Sequence, residues 1–353
     1  MRITKISYER LQLKLVEPYT IAYETVEETT NFILKLETES KWTAYGCSAP
    51  DVTVTGESPE QVEESIKDII IPYLKGKNPF TYIRILTELK EMLGDKSSAL
   101  AMVDIALYDL IAKKAEVPLY QFLGGYRNCI ATSITIGILP LDETLKRAGD
   151  FVKQGFTILK IKGGLNFQED IEKMILIHEK FPQTVLRFDG NQGYNVAESI
   201  AFVEATKKIG IQIFEQPTKV EREKKLGEVT DRTHIPVMAD ESIKTLADAF
   251  RLAQNERIDM VNIKLMKVGG ISVAMHINSV AKSANLEAMV GCIDECSLGI
   301  SAGLHFALSR PNIHYADLDG HLDIENDPFM GLFKLEKGIL YPTQSAGLGL
   351  IDR

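Results

Sequence analysis

The sequence predicts an α/β fold, a closed parallel barrel preceded by a separate α+β region. Three observations predict it. First, five short apolar runs each end on a charged residue: Lys162, Asp189, Glu215, Asp240 and Lys264, at steps of 27, 26, 25 and 24 residues. A strand with its crossover helix takes about 30 residues, so each step fits one βα unit. Second, eight strand-like segments alternate with helical stretches from residue 128 onward, a number that closes a parallel sheet into a barrel. Third, the first 125 residues have another texture, with strand alternation followed by a long helical stretch.

In chain order, Met1–Leu15, Asn31–Glu39 and Lys41–Ser48 alternate as three strands. A polar loop is expected over Glu17–Thr30, and a second over Asp51–Ser58. Ser58-Pro-Glu-Gln opens a helix, with Ser58 as cap, Pro59 at the first helical position and Gln61 completing a capping box. Ser97–Ala115 reads as an amphipathic helix with Leu100, Val103, Leu107, Leu110 and Ile111 on one side. The expected barrel strands are Ile130–Ile136, Thr157–Lys162, Val185–Asp189, Ile211–Glu215, Val237–Asp240, Met260–Lys264, Leu286–Val290 and Ile313–Asp317. The tail, Leu322–Arg353, is too loop-rich for its own core and is expected to pack on the first region.

Composition narrows the function classes. A formal net charge of −9 argues against a nucleic-acid or anionic-membrane partner. No apolar run approaches the 18 or so residues that cross a bilayer. The first residues lack the apolar core of a signal peptide, and four cysteines in 353 residues make no disulfide framework. A cytoplasmic enzyme is the expectation.

In a parallel barrel the strand ends open onto one face, which carries the chemistry. Asp189, Glu215 and Asp240 end three consecutive strands. Three converging carboxylates repel one another unless a cation joins them, and all-oxygen ligation suits Mg²⁺. For any one of them alone, capping of the next helix is the competing role. Lys160 and Lys162, two apart on one strand, share a face. Held together, their ammonium groups should depress one pKa and give a usable base. Lys264 stands across the ring, placed to act on the other face of a carbon between them. Asp317 and Asp319 also share a face, in a site suited to an ammonium group; a loop turn is the alternative. Other chemistries find no support. The six histidines form no His-x-His or His-Glu-x-x-His, Cys292 and Cys296 lack a second pair of zinc spacing, and no nucleophile elbow or dinucleotide fingerprint appears.

Lys160-Ile-Lys162, Asp189-Gly-Asn191, Phe214-Glu215-Gln216-Pro217, Ala239-Asp240-Glu241-Ser242 and Lys264 together resemble the enolase superfamily, muconate-lactonizing subgroup. Asp317-x-Asp319 is similar to the dipeptide epimerases within it. The resemblance implies a modified (β/α)7β TIM-type barrel over residues 126–321. It also implies an α+β capping domain over 1–125, completed by 322–353. It implies 1,1-proton transfer at the α-carbon of a dipeptide's C-terminal residue through a Mg²⁺-stabilised ene-diolate, a chemistry this superfamily runs with Lys or His bases. One Mg²⁺ per subunit would lie on Asp189, Glu215 and Asp240. Lys162 and Lys264 would be base and acid, and Lys160 would lower the pKa of Lys162. Asp317 and Asp319 would hold the ammonium group, and Thr135 would contact the substrate. A dipeptide is the expected partner, and a homo-oligomer the expected assembly.

In one place the chain departs from that pattern. Where Ala-Glu epimerases carry an Arg in the first capping loop, this chain has Glu24. Asp294, in Cys292-Ile293-Asp294 after strand seven, adds a second carboxylate near the pocket. Acidic side chains should be rejected. With Tyr19, Ile21, Tyr23 and Ile293 as a wall, hydrophobic side chains are the first expectation. Cationic ones, paired with Glu24 or Asp294, are the second. Another lyase or isomerase of the superfamily (a cycloisomerase or an o-succinylbenzoate synthase) remains the alternative activity, and a non-catalytic binding barrel a remote one.

Overall fold

The computed structural model describes residues 1–20, 22 and 25–350, with the side chain of Tyr19 excepted. Two sheets dominate it. A three-stranded antiparallel sheet is made of β1 (Ile3–Thr20), β2 (Thr25–Thr38) and β3 (Thr43–Ser48). A short strand, β4 (Ile130–Ala131), leads to the parallel barrel. Its eight strands are β5 (Ile134–Ile136), β6 (Ile158–Lys162), β7 (Val185–Asp189), β8 (Ile213–Glu215), β9 (Val237–Ala239), β10 (Met260–Lys264), β11 (Glu287–Gly291) and β12 (Ile313–Asp317). They pair in chain order. A parallel bridge from Thr132 to Ala316, beside the bond from the Ser133 N–H to the Ala316 carbonyl (3.1 Å), brings the last strand back to the first. A helix lies between each barrel strand and the next, so the expected (β/α)7β barrel is what the chain forms.

Period-2 alternation turns this topology into a site. Ile213, Met238, Met260 and Met289, with Tyr315 against them, make one small apolar cluster. The residues two further on are Glu215, Asp240, Asn262, Gly291 and Asp317. One more step along β10 reaches Lys264. The alternate residues, such as Leu159, Ile161, Phe188, Phe214, Val261 and Ile263, join the large core beneath the helices. The same alternation that buries the barrel wall therefore stacks an apolar floor below a charged mouth.

Four expected elements differ. The polar loop over 17–30 is mostly strand, since β1 runs to Thr20 and β2 begins at Thr25, with Tyr19 opposite Val26. Much of this overhanging ribbon is exposed, so its residues carry no hydrophobic alternation to read. Ile130–Ile136 divides into β4 and β5, because Thr132 turns its hydroxyl to the Leu318 N–H (2.8 Å) while Ile130 pairs with Leu340 in another sheet. The helix Ser97–Lys114 is buried on every side rather than amphipathic. Leu100, Val103, Leu107 and Leu110 face the three-stranded sheet's core, while Ala101, Ile105, Tyr108 and Ala112 join the barrel's. Gly46 of β3 lies so close to this helix that a Cβ there would stand 1.9 Å from the Met102 carbonyl oxygen. The tail forms a hairpin, β13 (Phe333–Glu336) with β14 (Ile339–Pro342), that pairs with β4 instead of lying wholly on the first region. Beyond it Leu348 donates its N–H to Asp109 of the buried helix (2.8 Å).

The two parts are stapled by polar groups as well. Asp104 of that helix is fully buried and accepts the N–H groups of Ile271 (2.5 Å) and Ser272 (3.3 Å), which begin the barrel helix Ile271–Ser283. Burial pushes its carboxyl up to about 7. Asn31 of β2 donates to the Asp294 carbonyl (3.0 Å) and accepts from the Cys296 N–H (2.8 Å), so the sheet grips the loop after β11. Among the described residues no helix is long and apolar enough to cross a membrane.

Candidate active site

The five charged strand ends meet at one mouth. Counting barrel strands from β5, Lys162 ends the second and Lys264 the sixth. On an eight-strand ring these are opposite one another. Asp189, Glu215 and Asp240 close the third, fourth and fifth, an arc of carboxylates between the lysines. Asp189 pairs in register with both Lys162 and Glu215. Across the ring stand Asp317 on the eighth strand and Thr135 on the first.

Each arc carboxylate is gripped by one oxygen and offers the other to a lysine. Asp189 Oδ1 accepts the Asn191 N–H (2.9 Å), and Oδ2 lies 2.8 Å from Lys162 Nζ and 3.1 Å from Lys160 Nζ. Glu215 Oε1 accepts from the Asn262 amide (2.7 Å), and Oε2 lies 2.7 Å from Lys160. Asp240 Oδ1 accepts from buried Lys267 (2.5 Å), and Oδ2 lies 2.8 Å from Lys264. Such tethers set the carboxylates' directions before any ligand arrives. Backbone strain lies at the same place. Asn191 and Gln216, just past Asp189 and Glu215, have φ of 39° and 32°, uncommon for residues other than glycine.

Electrostatics follow from burial and neighbours. Burial alone would lower the Lys160 pKa, but Asp317 (2.8 Å), Glu215 and Asp189 outweigh it and raise it well above the usual value. Lys264 is likewise raised, by Asp240 against burial. Of the Lys160/Lys162 pair, Lys160 is thus held charged by three carboxylates, and the depression expected from the pair does not fall on it. Burial and the Asp189 charge push Glu215 up to about 7. Burial opposes ionisation of Asp240, but Lys264 and Lys267 hold it well below the usual range.

Among the described residues no three His, Cys, Asp or Glu side chains are gathered closely enough to enclose an ion outright, because ammonium groups share the inward oxygens. The donor set nonetheless fits a hard divalent cation. It is all oxygen, buried and preoriented. Glu215 carries the raised pKa of a carboxyl crowded by a like charge, which a cation relieves. Beside the arc, Glu241 keeps both carboxylate oxygens buried without a hydrogen-bond partner.

Asp317 and Asp319 are both here, differently employed. Asp317 is bound to Lys160 and to Ser133 Oγ (2.6 Å) and is lowered to about 2, Lys160 outweighing burial. Asp319 accepts the Thr135 N–H (2.6 Å), with Cys292 Sγ at 3.9 Å. Burial and Asp317 raise it to about 6. Both aspartates line the pocket with Thr135, Lys160, Lys162, Lys264, Cys292, Ile293 and Asp294. Glu24, and with it Ile21 and Tyr23, lies outside the described residues.

Sequence reasoning missed several participants. Lys267 and Asn262 tether carboxylates of the arc from β10 and the turn after it; Asn262 could have been found as the polar residue two before Lys264 on a buried strand. Arg187, two before Asp189, is buried beneath the site and donates to Ser133 Oγ (3.2 Å) and the Ala316 carbonyl (3.0 Å). Asp51, in the loop after β3, and Asp323, at the end of a short 3-10 helix, also line the pocket, where no periodicity marks them.

Known proteins share this fold. Residues 4–124 match the mandelate racemase/muconate lactonizing enzyme N-terminal domain, and residues 143–351 the enolase C-terminal domain-like family. The chain belongs to the enolase superfamily. It is an isomerase, as its relatives are. An L-Lys-D/L-Arg epimerase of Desulforapulum autotrophicum is 40% identical, with 99% of each chain covered. The substrate-liganded L-Ala-D/L-Glu epimerase of Bacillus subtilis superposes with a TM-score of 0.97 at 36% identity, covering 99% of each chain. The Enterococcus faecalis dipeptide epimerase, complexed with Mg and L-Leu-L-Tyr, superposes at 0.96 and 36% identity, again over 99% of each.

Proposed function

We propose that this enzyme is a Mg²⁺-dependent dipeptide epimerase that inverts the α-carbon of the C-terminal residue. One observation carries the reading: two lysines on opposite sides of the ring, a carboxylate arc on one side between them and an aspartate pair on the other. A ligand spanning that mouth needs an anionic end at the arc, a cationic end at Asp317 and Asp319, and the reacting carbon between the amines. A dipeptide zwitterion has that layout.

Asp189, Glu215 and Asp240 would hold the cation, which supplies positive charge beside the substrate carboxylate, where negative charge builds as the α-proton leaves. Lys162, acting as base, takes the proton from one face, and Lys264, acting as acid, returns one to the other; in the reverse direction the roles exchange. Lys160 stays charged and adds to the field around the carboxylate. Asp319 accepts the substrate's ammonium group, with Asp317 held in place behind it by Lys160 and Ser133. Thr135 lies at the ammonium end of the pocket.

Hydrophobic side chains were the first expectation. Of the wall invoked for them, Ile293 lines the pocket, joined by Ile136, Leu139 and Phe151. Asp323 favours the cationic alternative. Burial, Asp319 and Asp294 push its carboxyl up to about 7 against the opposing charge of Arg147, and a further ammonium or guanidinium group would relieve it more. A Lys or Arg side chain lays its apolar stem on such a wall and its charged head on such a carboxylate. We therefore place cationic dipeptides ahead of neutral ones.

A dipeptide panel in D₂O with Mg²⁺ tests both levels. Deuterium entry at the C-terminal α-carbon with inversion, fastest for cationic members, is expected. Strong turnover of Ala-Glu would defeat the selectivity. A lack of exchange on every dipeptide, with ring closure of another carboxylate instead, would defeat the activity.

A further inference from the structure

Two of the sequence motifs have members to which the mechanism above gives no part: Asn191 in Asp189-Gly-Asn191, and Glu241 in Asp240-Glu241-Ser242. Both line the pocket beside Lys162 and Lys264. Asn191 is 4% exposed and Glu241 5%, yet Asn191 Oδ1 and both Glu241 carboxylate oxygens have no hydrogen-bond partner among the described residues. Buried acceptors left unpaired are costly, so their place in the site calls for donors that arrive with a ligand.

The identity of those donors can be argued. All three atoms are oxygens that accept when Glu241 is ionised. The nearby ammonium groups are already engaged, Lys162 by Asp189 and Lys264 by Asp240. The substrate's carboxylate has no proton to give, and its ammonium group belongs across the ring. Mg²⁺, in contrast, sheds its waters reluctantly and keeps several when protein carboxylates bind it. Each retained water presents strongly polarised O–H groups. Asn191 and Glu241 follow Asp189 and Asp240, two of the three arc carboxylates, by two residues and one. Waters on a cation held by that arc would offer donors to both side chains.

We propose that Asn191 and Glu241 bind the metal's retained waters rather than the metal or the substrate, forming an acceptor rim that raises Mg²⁺ affinity. This rests on the metal reading above. Partners at this remove typically account for 10- to 100-fold in metal affinity. The positive φ of Asn191 guides the choice of variants. Glycine deletes the side chain without straining the backbone, whereas leucine would strain it.

Calorimetric titration of MgCl₂ into the metal-free full-length protein, with no substrate present, tests the proposal. Asn191→Gly and Glu241→Ala, which delete the acceptors, should each weaken binding about 10- to 100-fold. Asn191→Asp, which keeps an acceptor and adds a negative charge beside the cation, should bind at least as tightly as wild type. Melting curves of the metal-free variants confirm that each is folded. Wild-type affinity in both Asn191→Gly and Glu241→Ala would overturn the inference while leaving the metal site standing. Unchanged Mg²⁺ affinity with a raised KM for dipeptide would reassign the pair to the substrate. Near-complete loss of binding in Glu241→Ala would make Glu241 a direct ligand. A wild-type protein that binds no Mg²⁺ would overturn the metal reading itself.

Discussion

The barrel mouth and the wall above it are built by different physics. At the mouth, Lys162, Asp189, Glu215, Asp240 and Lys264 stand at or just past strand ends. Parallel pairing fixes their order around the ring, and period-2 alternation fixes their direction. The wall is made of loops and of a two-stranded ribbon: Glu17 and Pro18 on β1, Asp51 and Val54 after β3, Cys292 to Asp294 after β11, and Asp323 in the tail. Hydrogen bonds between separate segments hold those positions, as where Asn31 of β2 grips the Asp294 carbonyl. Register therefore fixes the positions proposed for the proton chemistry, while the wall proposed to read side chains can change loop by loop. Relatives at similar identity, acting on Lys-Arg, Ala-Glu and hydrophobic dipeptides, fit that division.

Substitutions can break the division or sharpen it. At the mouth, Lys264→Ala should lower kcat by about 10²–10⁴ for every accepted dipeptide, the usual worth of a positioned acid or base; steady-state polarimetry over the panel would show it. On the ammonium side, Asp317→Asn removes a charged partner of Lys160. It should lower kcat/KM by about 1.5–3 kcal/mol, the scale of a charge-assisted hydrogen bond. Full activity in that variant would instead favour a lyase or cycloisomerase that needs no ammonium site.

The wall should respond selectively. Asp323→Asn should reduce kcat/KM about tenfold for cationic dipeptides, toward the low end of the same scale, and leave neutral ones nearly unchanged. Its pH dependence has a definite sign. With the carboxyl raised to about 7, the group is neutral below that pH and binds cations poorly. KM for cationic dipeptides should therefore fall as pH rises through about 7, and Asp323→Asn should flatten that limb. Smallest, Ser58→Ala should cost about 1 kcal/mol of stability at the cap of the helix Pro59–Ser65, measured by urea melts, with kinetics unchanged.

The same division decides what could be read from the sequence. Lys160 to Lys264 were legible because strands of similar length, each joined by one helix, put charged residues at regular intervals. The Ser58 capping box was legible because it is local, and the structure forms both of its bonds. The buried helix Ser97–Lys114 misled because it serves two cores, and a stripe of leucines describes only one of them. The division of Ile130–Ile136 into β4 and β5 is set by partners some 180 to 210 residues away, Ala316 and Leu340, which no local pattern encodes. Asp323 and Lys267 gain their roles from the groups they face, and only tertiary packing brings those together.

In the proposed mechanism Lys162 and Lys264 work on opposite faces of one α-carbon. Its most direct test is Lys162→Ala incubated with each epimer of an accepted dipeptide in D₂O, with α-proton loss followed by NMR. The account predicts that one epimer still exchanges its α-proton, through Lys264, while exchange from the other is lost. Equal loss from both epimers would contradict it.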